Sequence, residues 1–341
     1  MFDSACHRIQ TSRAISMDLR ILLCVVRRMN LVIKCLVFCI VLFIYLHVFF
    51  HLKTSDDLEI YEIDQPSKER LEEICDQRQP VIFDYPNERM LDMCRNDRIL
   101  STYGAFDIKL RDVSVPPSDD MELYVPISLS SGLNAVSGDG ASKFLSENNS
   151  DFLEETGLIK TFRYNDAFLR PYMVSNCAYD YTTASQNCRS PFRYDLGYRN
   201  YFLVTNGEVK IKLSPPKSAK YLHPQNDYER MEFRSPVNPW DVQMQYRPDF
   251  DKVKCLEVTV SKGQAIYIPA YWWHSLQYAA DSTVCTFKYR TYMNTIAILP
   301  RLCMSFLQKQ NVKHKVAQEI DVTPVVETSA EQPEANDPKI E

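Results

Sequence analysis

The chain has 341 residues, 45% of them hydrophobic and 12% aromatic, and 39 Lys and Arg against 44 Asp and Glu leave a net charge of -5. A mildly acidic chain with no basic stripe interleaved with aromatics excludes nucleic acid as a partner. Length alone suggests about two domains at roughly 100–200 residues each, yet no internal repeat occurs and neither end is suited to a core, so one domain remains.

Residues 1–30 are basic and precede an apolar run, LVIKCLVFCIVLFIYLHVFF, at 31–50. A bilayer core needs about 20 such residues. Only Lys34 and His47 interrupt the run, and Lys34 sits where its stem can reach the headgroups. The alternatives are a buried helix or a cleaved signal peptide. The run starts late, is long and ends in Phe-Phe-His-Leu-Lys rather than in small residues, which favours an uncleaved signal-anchor over 31–52. Arg8, Arg13, Arg20, Arg27 and Arg28 precede it, whereas Lys53 is followed by Asp56, Asp57, Glu59, Glu62 and Asp64. Lys and Arg stay cytoplasmic. The expectation is a single-pass type II membrane protein of the endoplasmic reticulum, Golgi or cell surface, with its large domain lumenal or extracellular.

Residues 53–68 read as a charged stem. Helix is expected over 68–76, a buried strand at 80–83 and helix over 88–95; residues 103–150 are mixed, with Pro116-Pro117 and a Ser/Gly-rich turn region at 130–142. Seven of the 11 cysteines lie beyond the span. Cys177 and Cys188 flank a short Tyr/Thr/Ser loop and could close it as a disulfide in an oxidising compartment, and less directly Cys75 could pair with Cys94; the alternative is buried free thiols. None has CxxC spacing, so zinc is not expected. Asn148-Asn149-Ser150 is a glycosylation sequon. From Pro191 on, short strands alternate with turns. Asn206-Gly207 between 200–205 and 208–213 reads as a β-hairpin, with Val209, Ile211 and Leu213 on one face and Lys210 and Lys212 on the other. Residues 256–260 and 265–268 around Gly263 read as a second hairpin-like pair, 282–289 as a strand and 300–310 as an amphipathic helix. The folded domain is therefore placed at 69–311. The segment 312–341, rich in Glu, Pro and Ala and without aromatics, reads as a disordered acidic tail.

The most specific string is AIYIPAYWWHSL at 265–276. It resembles the segment of JmjC-type hydroxylases in which a strand ends at proline and a Trp-Trp-His turn presents the distal metal histidine. Upstream, SPFRYD at 190–195, then Asn200-Tyr-Phe, Gly207 and Ser214-Pro-Pro, is similar to the other half of that site. The nearest counterparts are the small cupin-like JmjC proteins, such as the asparaginyl hydroxylase acting on hypoxia-inducible factor. The resemblance implies a mainly β fold, a double-stranded β-helix (jelly-roll cupin) with flanking helices, and an Fe(II)/2-oxoglutarate hydroxylase ancestry. Such enzymes hold iron with two histidines and one carboxylate. The first two come as His-x-Asp on one strand, since residues i and i+2 share a face.

Here that motif reads Arg193-Tyr194-Asp195, while His274 takes the distal place. The only other barrel histidine, His223, is expected at the barrel's edge. The family's cosubstrate lysine is replaced by Val209; Ser190 stands where a hydroxyl would contact the cosubstrate, and Asn200 completes these positions. Arg193 is expected to satisfy Asp195 in place of a metal. The resulting reading has a vestigial site of Arg193, Asp195 and His274, no catalytic residues, no metal and no cofactor, in a degenerate hydroxylase that serves as a binding or scaffold module. The partners are the membrane, a lumenal protein or peptide in the barrel groove, and a second copy through the C-terminal helix, as the resemblance implies. The alternative is an active oxygenase using Fe(II) and 2-oxoglutarate, with Asp195 and His274 among altered ligands.

Overall fold

The computed structural model describes residues 30–116 and 122–310; the expected cytoplasmic segment before residue 30 and the expected tail after 311 lie outside them. Two units separate after Lys53. The first holds helix α1 (Asn30–Leu52), the one helix among the described residues long and apolar enough to cross a membrane. It contains no Gly or Pro, so every interior peptide group can pair within the helix, as a lipid environment demands.

The second unit opens with strand β1 (Tyr61–Ile63), helix α2 (Lys68–Cys75), strand β2 (Val81–Asp84) and helices α3 (Glu88–Met93) and α4 (Asn96–Tyr103). Strands β3 (Asp107–Asp112) and β4 (Val125–Ser128), helix α5 (Leu129–Gly138), strand β5 (Phe144–Ser146) and helices α6 (Ser150–Glu155) and α7 (Leu158–Asn165) follow. Then come β6 (Val174–Ala184), β7 (Arg193–Tyr194), β8 (Arg199–Asn206), β9 (Glu208–Ser214), β10 (Gln225–Asp227) and β11 (Glu232–Arg234). A short helix α8 (Arg247–Phe250) leads to β12 (Leu256–Ser261), β13 (Gln264–Tyr267), β14 (Trp273–Tyr278) and β15 (Thr283–Thr291). Helices α9 (Tyr292–Ala297) and α10 (Leu299–Gln310) end the described chain. The helices expected at 68–76, 88–95 and 300–310 are present within two residues. Ser67 caps α2, its hydroxyl accepting the Arg70 N–H at 3.2 Å.

The strands form two sheets, in the orders β1-β2-β13-β8-β15-β6-β5-β3-β4 and β10-β11-β7-β14-β9-β12. This is the jelly-roll expected from the sequence, and it corrects both expected hairpins. β8 and β9 lie in different sheets, as do β12 and β13. Their tight glycine turns are corners that carry the chain across the barrel. Gly207 has a φ of +68°, and a Cβ there would lie 2.5 Å from Ser282 Oγ and 2.8 Å from Ser282 Cα. Only glycine fits so close an approach.

Alternation along the strands divides the core. Tyr201 and Leu203 of β8, Tyr267 of β13 and Phe287 of β15 join the cluster packed with α2, α3, α6 and α7. Phe202, Val204, Ile266 and Val284 point the other way, onto Val209, Ile211, Leu213 and Leu276 of the second sheet. The central strands β2, β8, β13 and β15 of the large sheet are buried on both faces over most of their length.

Three further expectations change. Residues 61–63, placed in the stem, pair in parallel with β2, and Asp56 is 2.7 Å from Lys217 Nζ. The stretch after Cys177, read as a short loop, is the 11-residue strand β6. Extended chain rises about 3.3 Å per residue, so the run from 177 to 184 holds Cys177 roughly 20 Å from the region of Cys188, beyond disulfide reach. Both are free, as are Cys75 and Cys94. Cys75 Sγ meets the Tyr201 hydroxyl at 3.9 Å, and Cys94 Sγ meets Met90 Sδ at 4.0 Å. The sequon residue Asn148 is exposed, its side-chain amide donating to the Tyr124 hydroxyl at 2.6 Å.

Candidate functional site

A cavity of about 350 Å³ opens between the two sheets, lined among others by Tyr194, Asp195, Phe202, Tyr278, Thr286 and Lys288. β7 and β14 run antiparallel with Arg193 opposite His274. The bulky Trp-Trp pair fixes the approach to this position. Trp272 packs in the barrel core, while Trp273 packs outside it with Phe192 and Leu222. Their alternation turns His274 back toward the barrel interior.

Two of the three expected site residues converge. His274 Nε2 stands 3.7 Å from Asp195 Oδ2. His274 Nδ1 lies 3.3 Å from the Trp272 carbonyl; a hydrogen assigned to Nδ1 for that bond leaves Nε2 an acceptor facing a carboxylate. Among the described residues, neither Nε2 nor Oδ2 has a hydrogen-bond partner. Burial pushes the His274 pKa down to about 4, against the opposing pull of Asp195. Burial works against charge on Asp195 too, but Lys288 overcomes it and holds that carboxyl at about 2. With His274 neutral near pH 7, Lys288 is the cation that matters.

Arg193 departs from its expected role. Its guanidinium does not pair with Asp195. It reaches Glu147 Oε2 at 2.6 Å and lies 3.7 Å from Glu232 Oε1. β7 ends at Tyr194, so Asp195 leaves the strand while the long Arg193 side chain crosses to the segment after β5. Asp195 is taken instead by Lys288 of β15, whose Nζ donates to Oδ1 at 2.8 Å. Glu147 also accepts from Arg111 Nη1 at 3.1 Å and from the Tyr124 hydroxyl at 3.0 Å. Glu232 lies 3.6 Å from Arg111 and 3.3 Å from Arg234. Burial opposes ionisation of Glu147, yet Arg193 and Arg111 hold its pKa at about 2. Nearby Asp180 of β6 accepts the Asn148 and Asn149 N–H groups at 2.9 and 2.7 Å, and burial raises its pKa.

The cosubstrate positions do not face the cavity. The Ser190 hydroxyl accepts the Leu276 N–H at 2.9 Å, and its carbonyl accepts from Ser275 Oγ at 2.6 Å. Asn200 donates to the Gly197 and Ile268 carbonyls at 3.1 and 3.2 Å. Val209 is fully buried in the barrel core, opposite Tyr278. Lys212 is on the far face, as expected, 4.7 Å over Trp240. His223 is exposed and 3.2 Å from Asp249.

Fe(II) bound in the family's manner requires three donors on one face. Residues 193, 195 and 274 offer two, together with the Arg193 guanidinium and the Lys288 ammonium on Asp195. No group of three or more His, Cys, Asp or Glu side chains that could hold a metal ion occurs among the described residues. The facing orphan atoms of Asp195 and His274 suit a shared cation, but the two neighbouring positive charges do not. The residues present do not fit the iron site of the family.

Glu147, Glu232, Arg111 and Lys288 escaped sequence reasoning. Lys288 alternates with Phe287 and Tyr289, which pack toward the helices, so it lies on the barrel face, a placement that alternation alone would have read as solvent. Glu147 and Glu232 had no signal.

Comparisons with known proteins point to the same fold. The model of the cupin-like domain family matches residues 183–293. HSPB1-associated protein 1 of Rattus norvegicus, Mus musculus and Homo sapiens is 28% identical over 101 residues in each case, 29% of this chain and 21% of the relative. The matched stretch is thus about a fifth of the length of those curated relatives. With the two-sheet barrel, the Trp-Trp-His turn and this match, the chain carries a cupin-like domain of the JmjC type.

Proposed function

We propose that this is a type II single-pass membrane protein whose cupin-like domain is a catalytically degenerate hydroxylase, retained as a binding or scaffold module in the secretory pathway. The observation that carries the reading is Arg193, a guanidinium 2.6 Å from Glu147 where the resemblance expects a metal histidine. Lys288 on Asp195 supports it. A positive charge beside each remaining donor opposes a dication, and Val209 leaves the far carboxylate of 2-oxoglutarate without its cation. The barrel cavity is then free to hold a lumenal protein or peptide segment, with a second copy docking through the C-terminal helix. Elemental analysis and a 2-oxoglutarate turnover assay on the purified chain test this. Near one iron per chain with turnover would overturn it.

A second reading, an active oxygenase with altered ligands, draws on the unpartnered Asp195 Oδ2 and His274 Nε2, and the same assay decides between the two. Topology is tested separately. Protease added to sealed microsomes should spare the large domain, and glycosidase should shift its mobility through Asn148; digestion of the domain would reverse the orientation.

A further inference from the structure

A second hollow, of about 430 Å³, meets the same ion network from outside the barrel cavity. Its wall includes Arg111, Arg189 and Arg234 and, among the described residues, no carboxylate. The carboxylates of the network do not balance these charges. Among the described residues Arg111, Arg193 and Arg234 share Glu147 and Glu232 alone, so three positive charges meet two negative ones there. Arg189 has no ion-pair partner among the described residues and adds a further positive charge to the same wall. Arg111, its side chain 3% exposed, keeps a buried Nε that finds no hydrogen-bond partner among the described residues. A partly dehydrated cluster with surplus positive charge is unfavourable unless an anion completes it.

We propose that this hollow binds the carboxylate side chains of an extended acidic peptide segment of a partner protein. Guanidinium forks match planar carboxylates in pairs of parallel hydrogen bonds. Between the arginines the wall mixes the apolar Val113, Val115 and Val237 with hydroxyl and amide side chains such as Ser114, Gln225 and Asn238. The valine contacts suit the stems and backbone of a peptide and are of no use to an inorganic anion. The site is distinct from the barrel cavity and stands whether or not Asp195 and His274 hold a ligand.

The test uses the full chain in detergent micelles at low salt, a fluorescein-labelled oligoglutamate peptide read by anisotropy, and inorganic phosphate as the competing probe. Saturable peptide binding is expected. Arg189→Gln and Arg234→Gln should each weaken it by about tenfold or more, the loss of one charge-assisted contact. Lys210→Gln, which removes an exposed cation on β9, should leave it unchanged. Arg189 has no ion pair to lose, so its variant keeps the comparison valid if Arg234→Gln unfolds, which thermal melting would show. Absence of saturable binding overturns the proposal, as does equal weakening by Lys210→Gln and Arg189→Gln. Arg189-dependent binding of phosphate without binding of the peptide overturns the assignment to an acidic peptide.

Discussion

Replacing Arg193 by His together with Lys288 by Asn should raise divalent-metal affinity well above that of the natural chain. The variant removes the two cations and adds an imidazole beside Asp195 Oδ2 and His274 Nε2, which already stand 3.7 Å apart. The size of the effect follows from Lys288. Its Nζ is 2.8 Å from Asp195 Oδ1, so a dication on the sister oxygen would lie about 4 Å away and be repelled by roughly 8 kcal/mol at an effective dielectric of about 20. Rotation of the lysine outward, where its side chain is 34% exposed, relieves part of this. Arg193→His alone should therefore bind Mn(II) at least about 100-fold more weakly than the double variant.

The exchange has a structural cost. Glu147, its side chain 2% exposed, would keep only Arg111 as a cationic partner, and breaking one buried pair costs about 3–5 kcal/mol. Thermal melting must therefore accompany the metal titration, followed by electron paramagnetic resonance of Mn(II). Metal binding by the wild type as tight as by the double variant would refute the electrostatic reasoning. A folded double variant that binds no metal would refute the placement of the site.

Glu147→Gln should destabilise the domain by about 3 kcal/mol by leaving Arg111 and Arg193 without their shared carboxylate, whereas replacing Arg193 and Glu147 together by apolar residues should cost less; denaturant melts of the full cycle measure the coupling. Acid should weaken the fold. The depressed pKa of His274, about 4 against 6.5, means that the unfolded chain binds the proton more readily, so this contribution is complete above about pH 6.5 and is lost as pH falls toward 4. Glu147 and Asp195, both held near 2, lose theirs below about pH 4.5 and continue down to 2; a melting temperature that stays level from pH 7 to 4, with His274→Asn no different, would contradict this. Gly207→Ala should cost about 1–3 kcal/mol, because it adds a Cβ at positive φ against Ser282, and a loss below 0.5 kcal/mol in denaturant titration would show that the corner relaxes.

The barrel was legible where local chemistry is repetitive. Alternating Val209, Ile211 and Leu213, the glycine turns and the Trp-Trp-His string each carry their meaning within a few residues. The convergence of Asp195 and His274 was likewise readable from motif and strand geometry. β6 was not recognised, because the cysteines near its two ends suggested a closed loop while its tyrosines and threonines serve two buried faces at once. The hairpins at Gly207 and Gly263 were misread for a related reason. A period of two with a glycine turn describes a hairpin and a barrel corner equally well, and only the choice of neighbouring strands separates them.

The apolar span and the cupin-like barrel could be read from the chain alone, and the resemblance put Arg193 where the family's metal histidine is expected. These depend on residue type and short spacing. Where the charges go was settled by the folded chain. Arg193 finds Glu147 across 46 positions of chain, and Asp195 finds Lys288 across 93. Such partners are chosen by which strands the fold lays together and by the cost of leaving a buried charge alone, and no local pattern records that choice.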